Sequence, residues 1–231
     1  MEIFAVKILK DIDQAHLEDL LSQLDREKQQ IIFSMKNLHA RSAALTSALL
    51  IRHVIKIKLG LSGKEIVFAK NKYGKPYLAL REDFHFNLSR SGDWAVCVID
   101  ESPVGIDIEK IDYEHPKIIL EVLSSSELAI YKNLNPGDKI SFFYNIWTRK
   151  ESYVKALGIG LNVPLDALTV YLENEKDIFS PIIENITNNK YFFKQYFINS
   201  YYSMTVCAMN KSFSGSITLI NNGDLLESSL N

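Results

Sequence analysis

Apolar residues alternate with others along Glu2 to Leu9, the period of a strand, and this opening segment is predicted as an edge strand. Two helical stretches follow. One runs from about Asp13 into the Met35 region, and the other, Arg41 to Leu59, is closed by Gly60. Short apolar runs then predict five strands, EIVFAK, KPYLAL, FHFNLS, WAVCVID and VGIDIE, parted by the turn sequences NKYG, RSGD and DESP. From about Pro116 the order repeats. A helix runs through Ser126 and Tyr131, a second from about Asp138 to Leu157 ends at Gly158, and LTVYL, YFFKQYFI and YYSMTVCAM are predicted as strands. The tail after Ser212, rich in Ser, Asn and Gly, is expected to fray.

The repetition extends to local sequence. KIKLGLS echoes VKALGIGLN, each closing a long helix at a glycine, and WAVCVI echoes MTVCAM. The economical reading is an α+β fold of two similar halves joined near Asp100 to Gly105, one spanning residues 1–103 and the other 104–231.

Composition narrows the classes of function. At 231 residues, 47% hydrophobic and 23% charged, the chain can bury a core in each half. A net charge of −2 provides no overall field to hold nucleic acid or a membrane surface, so neither is expected as a partner and any anion site must be a local cluster. No apolar run is long enough for a bilayer, and MEIFAVKILKDID carries charges where a secretion signal would be apolar. Cys97 and Cys207 stand singly in apolar runs and read as buried thiols. A cytoplasmic protein is expected.

The sharpest chemistry lies in VGIDIEK, residues 104–110. On a strand Val104, Ile106 and Ile108 share the core face while Asp107 and Glu109 emerge together on the other. Two carboxylates about 7 Å apart repel unless a cation or water lies between them. The segment therefore reads either as a solvated strand face or as a hard-cation site, for which Mg²⁺ suits carboxylates shared with water and phosphate oxygens. In WTRKESYVKALGIGL, residues 147–161, Trp147, Glu151 and Lys155 recur at i, i+4, i+8 and lie on one helical side. Glu151 and Lys155 read either as a surface ion pair or as a carboxylate for a metal or a proton, with a cation for phosphate one turn on.

Basic residues collect in the first half. NKYGKPYL contains Lys72 and Lys75, and FNLSRSGDW contains Ser89, Arg90 and Ser91 in a strand-to-turn setting that suits either a plain hairpin or a phosphate contact. Arg41 and Arg52 lie near one face of the second helix, and Lys28 lies at the end of the first.

Taken together, YGKPYL, FNLSRSGDW, GIDIEK and WTRKESYVKALGIGL, in this order and spacing over residues 73–161, resemble the two-domain, Sfp-like phosphopantetheinyl transferases. The resemblance implies two pseudo-symmetric α+β halves with the active site in the cleft between them. It implies an Mg²⁺-dependent transfer of the phosphopantetheine arm of coenzyme A to a serine of an acyl or peptidyl carrier protein, with release of 3′,5′-ADP. Asp107, Glu109 and Glu151 would hold Mg²⁺, with Mn²⁺ as the alternative ion. Lys155 would touch the pyrophosphate. Lys75 and Ser89, with Arg41, Lys28 and the cation of Arg90, would bind the nucleotide end. Glu151 is the expected general base, and a monomer is expected, because both walls of the cleft come from one chain.

One position departs from the family pattern, in which histidine usually follows the serine; here it is Arg90. Arginine keeps a cation for phosphate but cannot exchange a proton near neutrality. Two rival readings use the same residues: a metal-dependent nucleotide hydrolase with water as nucleophile, and a catalytically impaired relative that retains coenzyme A. Segment 111–135, which follows the carboxylate strand, is a candidate carrier-docking surface or an ordinary amphipathic helix packed on the core.

Overall fold

Each long helix ends where a glycine alone relieves the chain. Gly60 and Gly158 take left-handed conformations, with φ of 69° and 68°, and their amides close on the carbonyls of Lys56 and Val154 at 2.9 and 3.0 Å. A computed structural model of the chain describes residues 1–10, 12, 14–79, 81–113, 118–160, 163–170, 173–175, 178–180 and 190–230. In order the elements are β1 (Glu2–Lys7), α1 (Gln14–Ser22), α2 (Arg26–Ser34), α3 (Leu38–Leu59), β2 (Phe68–Lys70), β3 (Pro76–Leu78), β4 (His85–Ser91), β5 (Trp94–Asp100) and β6 (Val104–Lys110). Then come α4 (Ile119–Val122), α5 (Ser125–Asn133), α6 (Pro136–Leu157), β7 (Glu173–Glu175), β8 (Ile178–Ser180), β9 (Phe192–Gln195), β10 (Tyr202–Ala208), β11 (Thr218–Ile220) and α7 (Asn222–Leu230).

The α+β fold follows in two related halves. One sheet runs β11-β1-β5-β4, the other β6-β10-β9-β8-β7, with β2 and β3 as a separate hairpin. The 22-residue α3 covers one face of the first sheet, burying Leu45, Leu49 and Ile55 against Phe4, Val6 and Cys97. The 22-residue α6 covers the second, burying Tyr153, Val154 and Ala156 against Phe193 and Cys207. The two cysteines are free and buried at matching places, one under each helix. The uncovered faces close on each other through Ile3, Ala5, Val96 and Val98 against Val104, Ile106, Ile108, Met204 and Val206. No helix among the described residues is long and apolar enough to cross a membrane.

Four expectations change. The helix expected from Asp13 to Met35 is two helices, because Asp25 caps a new start by accepting the amide of Lys28 at 2.9 Å. The helix expected from Pro116 through Tyr131 is likewise split, with Ser124 and Glu127 forming a capping box at the start of α5; its first residues lie outside those described. LTVYL forms no strand over Leu168–Val170, and its last two residues lie outside those described. The tail beyond Ser212 supplies β11, which pairs parallel with β1, so β1 lies inside its sheet and not at an edge. Helix α7 then buries Leu225 in the core beneath α3. A boundary drawn at residue 104 thus leaves residues 218–230 joined to the first sheet.

The halves meet where β6 crosses β4. One edge of β6 pairs with β10. The amides of Ile106, Ile108 and Lys110 on its other edge donate to Asn87 Oδ1 (2.9 Å), Ser89 Oγ (3.3 Å) and Ser91 Oγ (2.9 Å) of β4. Three alternate side chains of one strand thus satisfy the open edge of another.

Candidate active site

The alternation that places Asn87, Ser89 and Ser91 against β6 sends Phe86, Leu88 and Arg90 to the opposite face of β4. Consequently β4 is a wall between two chemically different sites.

On the β6 side lie the carboxylates. Asp107 is 1% exposed, which removes the reading of a solvated strand face. Its Oδ1 accepts the Lys155 ammonium at 2.5 Å and the Ser89 hydroxyl at 2.9 Å, and Lys155 also reaches Ser89 Oγ at 3.0 Å. Lys155 is therefore paired from helix to strand with Asp107 and not with Glu151 along its own helix. Glu109, half-buried, accepts the Ser91 hydroxyl at 2.9 Å. Burial, the Asp107 charge and, last, that of Glu151 push the Glu109 carboxyl up to about 7, against the pull of Ser91 and Lys155. Glu151, half-buried on α6, is also raised, by burial first and by Asp107 second. Behind the carboxylates stand Ser203 and Thr205, cross-strand neighbours of Glu109 and Asp107, tied to Thr148 of α6 at 3.2 and 2.8 Å.

What brings α6 this close is Gly105. A methyl group there would stand 2.0 Å from the Ser152 carbonyl oxygen and 2.5 Å from the Ala156 amide nitrogen, so strand and helix touch backbone to backbone. The helix is also pinned by Lys150, whose buried ammonium donates to Glu127 (2.5 Å), Val122 O (2.7 Å) and Leu165 O (3.0 Å).

The donors fit a hard cation. Asp107 Oδ2 is buried without a hydrogen-bond partner, and two neighbouring carboxylates have raised proton affinity, which marks a cluster short of positive charge. Among the described residues, however, no three His, Cys, Asp or Glu side chains form a ready-made metal cage. The convergence of Asp107, Glu109 and Glu151 expected from sequence is looser than that, because the Lys155 ammonium occupies the side of Asp107 that faces α6. Mg²⁺ commonly takes only one or two carboxylates and completes its shell with water and substrate phosphate.

On the other face of β4, Arg90 meets Lys28 of α2. They line a cavity of about 200 Å³ with Arg52, Lys70 and the apolar Ile51, Phe86 and Leu88. Burial first, and the Arg90 charge next, lower the pKa of Lys28. Asp25 and Glu27 line the same cavity and Glu27 pairs with Lys70, which leaves Lys28 and Arg90 as two cations held against their mutual repulsion. Arg41 lies half-buried near the start of α3 and lines neither this cavity nor the cleft beside Glu151. Lys75, expected on the nucleotide side, is placed elsewhere. Its ammonium donates to Val104 O, Lys155 O and Ala156 O at 3.1, 2.6 and 3.2 Å, which uses all three of its N–H groups. The Ser89 hydroxyl is likewise engaged, by Asp107, Lys155 and the Ile108 amide.

A cleft of about 230 Å³ opens between the halves, lined by Tyr73, Lys75, Asn87, Glu151, Val154 and Lys155. It joins a carboxylate, two ammonium groups and apolar walls.

Comparison with known proteins decides the family. A model described as 4'-phosphopantetheinyl transferase, N-terminal, matches residues 12–102, and one described as 4'-phosphopantetheinyl transferase superfamily matches residues 103–207. The 4'-phosphopantetheinyl transferase gsp of Aneurinibacillus migulanus is 34% identical over 77% of this chain and 78% of its own. The chain belongs to the 4'-phosphopantetheinyl transferases. The 4'-phosphopantetheinyl transferase Sfp of Bacillus subtilis is 29% identical over 98% of this chain and all of its own. A yeast relative, the L-aminoadipate-semialdehyde dehydrogenase-phosphopantetheinyl transferase of Saccharomyces cerevisiae, is 32% identical over 72% of this chain and 65% of its own.

Within this transferase site, sequence reasoning missed Asn87, which shares the alternation of Ser89 and Ser91 and could have been found from it. It also missed the close approach at Gly105.

Proposed function

We infer that the chain transfers the 4'-phosphopantetheine arm of coenzyme A to a serine of an acyl or peptidyl carrier protein and releases 3′,5′-ADP. The observation that carries this reading is the Asp107–Lys155 pair flanked by Glu109 and Glu151, on one side of a strand whose other side holds Lys28 and Arg90. Coenzyme A has the matching chemistry: a pyrophosphate at its centre and a further phosphate on the ribose.

Lys28 and Arg90 take the ribose phosphate. β4 is the edge strand of its sheet, so the nucleotide can cross its open edge from that cavity toward the carboxylates. Asp107, Glu109 and Glu151 would hold Mg²⁺, which when bound neutralises pyrophosphate oxygens and fixes their orientation. Lys155 directs two of its three N–H groups to Asp107 and Ser89 and offers the third to the leaving side of the pyrophosphate. The arm runs along Tyr73 and Val154 in the cleft.

The carrier serine hydroxyl attacks the β-phosphorus. Its new P–O bond forms as the bond from that phosphorus to the bridging oxygen breaks, and the bridging oxygen leaves on 3′,5′-ADP. The serine proton passes to Glu151, whose raised pKa suits a base working near neutrality. Because the transferred group carries its charge on its equatorial oxygens, placement and electrostatics supply most of the rate. The carrier approaches over the described part of segment 111–135, where Tyr113, Leu120 and Ile130 are exposed.

The test is product analysis of an apo carrier incubated with the chain, coenzyme A and Mg²⁺. Equal molar yields of modified carrier and 3′,5′-ADP, both abolished by chelation, are expected. Coenzyme A cleaved without a modified carrier would place water, not serine, as the nucleophile and overturn the reading.

A further inference from the structure

We propose that Lys75 is a positioning residue for the transfer step, capping helix α6 from the opposite half so that Lys155 and Asp107 are held in register. The proposal rests on the transfer reading above.

A helix leaves its last carbonyls without partners, and their aligned dipoles favour a cation beside them. For α6 these groups include the carbonyls of Lys155 and Ala156, which Lys75 Nζ meets at 2.6 and 3.2 Å. Asn71 Nδ2 takes the next exposed carbonyl, that of Gly158, at 2.8 Å. Both donors come from the loop joining β2 and β3 in the first half. The loop is internally braced. Asn71 Oδ1 accepts the amides of Tyr73 and Lys75 at 2.9 Å each, Asn71 N donates to Lys75 O at 3.0 Å, and Gly74 turns the chain with φ of 88°. Gly158 fits beneath it for lack of a side chain: a methyl group there would lie 2.8 Å from Lys75 Cδ.

The third bond of the ammonium gives the clamp its catalytic sense. Lys75 Nζ also holds Val104 O, three residues before Asp107 on β6, at 3.1 Å. One half-buried cation therefore grips the backbone of Lys155 itself and the backbone of the strand that carries its partner. The Lys155–Asp107 contact, 2.5 Å long, is made between two elements that already pack directly at Gly105 and that both bond this ammonium. Burial lowers the Lys75 pKa to about 8, and the three carbonyl oxygens hold the charged form against that desolvation although the side chain also borders the cleft beside Glu151. A phosphate ligand at Lys75 would have to displace bonds that already use every donor it has.

A reacting group displaced by 1 Å can lose about 10²-fold in rate, so loss of the clamp is read in turnover and not in coenzyme binding. Wild type, Lys75→Met, Asn71→Ala, Lys155→Ala and the double variant Lys75→Met with Lys155→Ala are compared for kcat of transfer to an apo carrier. Kd for coenzyme A is measured in parallel by calorimetry. Lys75→Met is expected to lower kcat by about 10- to 100-fold with Kd within about threefold, and Asn71→Ala to act in the same direction by less. In the Lys155→Ala background Lys75→Met is expected to cost under about twofold more, since residues acting through one another are non-additive. Weakened coenzyme A binding at unchanged kcat makes Lys75 a phosphate ligand and overturns the proposal. So does an undiminished effect in the Lys155→Ala background, or no effect at all. Should Lys75→Met fail to fold, Asn71→Ala alone, with and without Lys155→Ala, separates the same outcomes in the same way. A wild-type chain that transfers nothing overturns the transfer reading itself and the role built on it, whereas an active wild type with a silent clamp overturns only the clamp.

Discussion

The ammonium of Lys155, in the last turn of α6, stands 2.5 Å from the buried Oδ1 of Asp107 on β6, while Oδ2 of the same carboxylate is buried without a hydrogen-bond partner. One carboxylate thus faces a cation on one side and an unfilled demand for one on the other. Replacing it separates the two roles. Asp107→Asn is expected to lower transfer by at least about 10²-fold and to flatten its dependence on Mg²⁺. Lys155→Ala is expected to lower kcat by a similar factor while keeping that dependence. Labelling of an apo carrier with a fluorescent coenzyme A across an Mg²⁺ titration checks both, and unchanged labelling in either variant contradicts the assignment.

Arg90 shares a cavity with Lys28 and carries its charge at any working pH. Arg90→His is expected to remain active, because the position needs a cation and not a proton shuttle. An imidazole titrates near about 6.5, so the KM for coenzyme A in this variant should rise between pH 6 and 8 while that of the wild type stays flat. Complete loss of activity at pH 6 would show that the guanidinium itself is indispensable.

Glu109 gives a pH signature of stability. Its folded pKa of about 7 lies above the ordinary carboxylate value, so between the two the folded state holds more protons than the unfolded one. Stability without divalent cations should therefore fall as pH rises from about 4.5 to about 7. Glu109→Gln should lose most of that slope, and Mg²⁺ at pH 8 should raise the Tm of the wild type more than that of the variant. Thermal melts in chelator and in Mg²⁺ read all three, and identical profiles for both proteins would remove Glu109 from the site.

Gly105→Ala places a methyl group against the backbone of α6. Overpacking of a rigid contact costs about 1–3 kcal/mol, and here neither neighbour is a side chain able to turn aside. Urea denaturation should show a loss at the upper end of that range. Activity of the folded fraction should drop as well, since the helix that carries Glu151 and Lys155 must move. A variant as stable and as active as the wild type would contradict the close approach.

Much of this was legible in the sequence, and the misses have identifiable causes. The paired long helices were readable because Gly60 and Gly158 end two strongly periodic segments. Asp107 and Glu109 stood out by alternation alone, and Glu151 and Lys155 by helical spacing. The break between α1 and α2 was hidden because Leu17, Leu20, Leu21, Leu24, Ile31 and Ile32 continue a helical period across it, although the Asp25 cap was there to be seen. β11 is three residues long in a Ser- and Asn-rich tail, too short for any period to show, and it is a strand because β1 offers it an edge. Lys75 carried no local sign of its role. NKYGK reads as a hairpin turn, and its partners lie 80 residues away in α6, a pairing that only the tertiary fold creates.

The most direct test is the intact mass of an apo carrier protein after incubation with coenzyme A, Mg²⁺ and either the wild-type chain or Glu151→Gln. The account predicts that the carrier gains the mass of one phosphopantetheine arm, at its serine, with the wild type, and that the variant is slower by about 10²–10⁴-fold, the usual worth of a general base. A carrier unchanged in mass with the wild type, or modified equally fast by the variant, contradicts it.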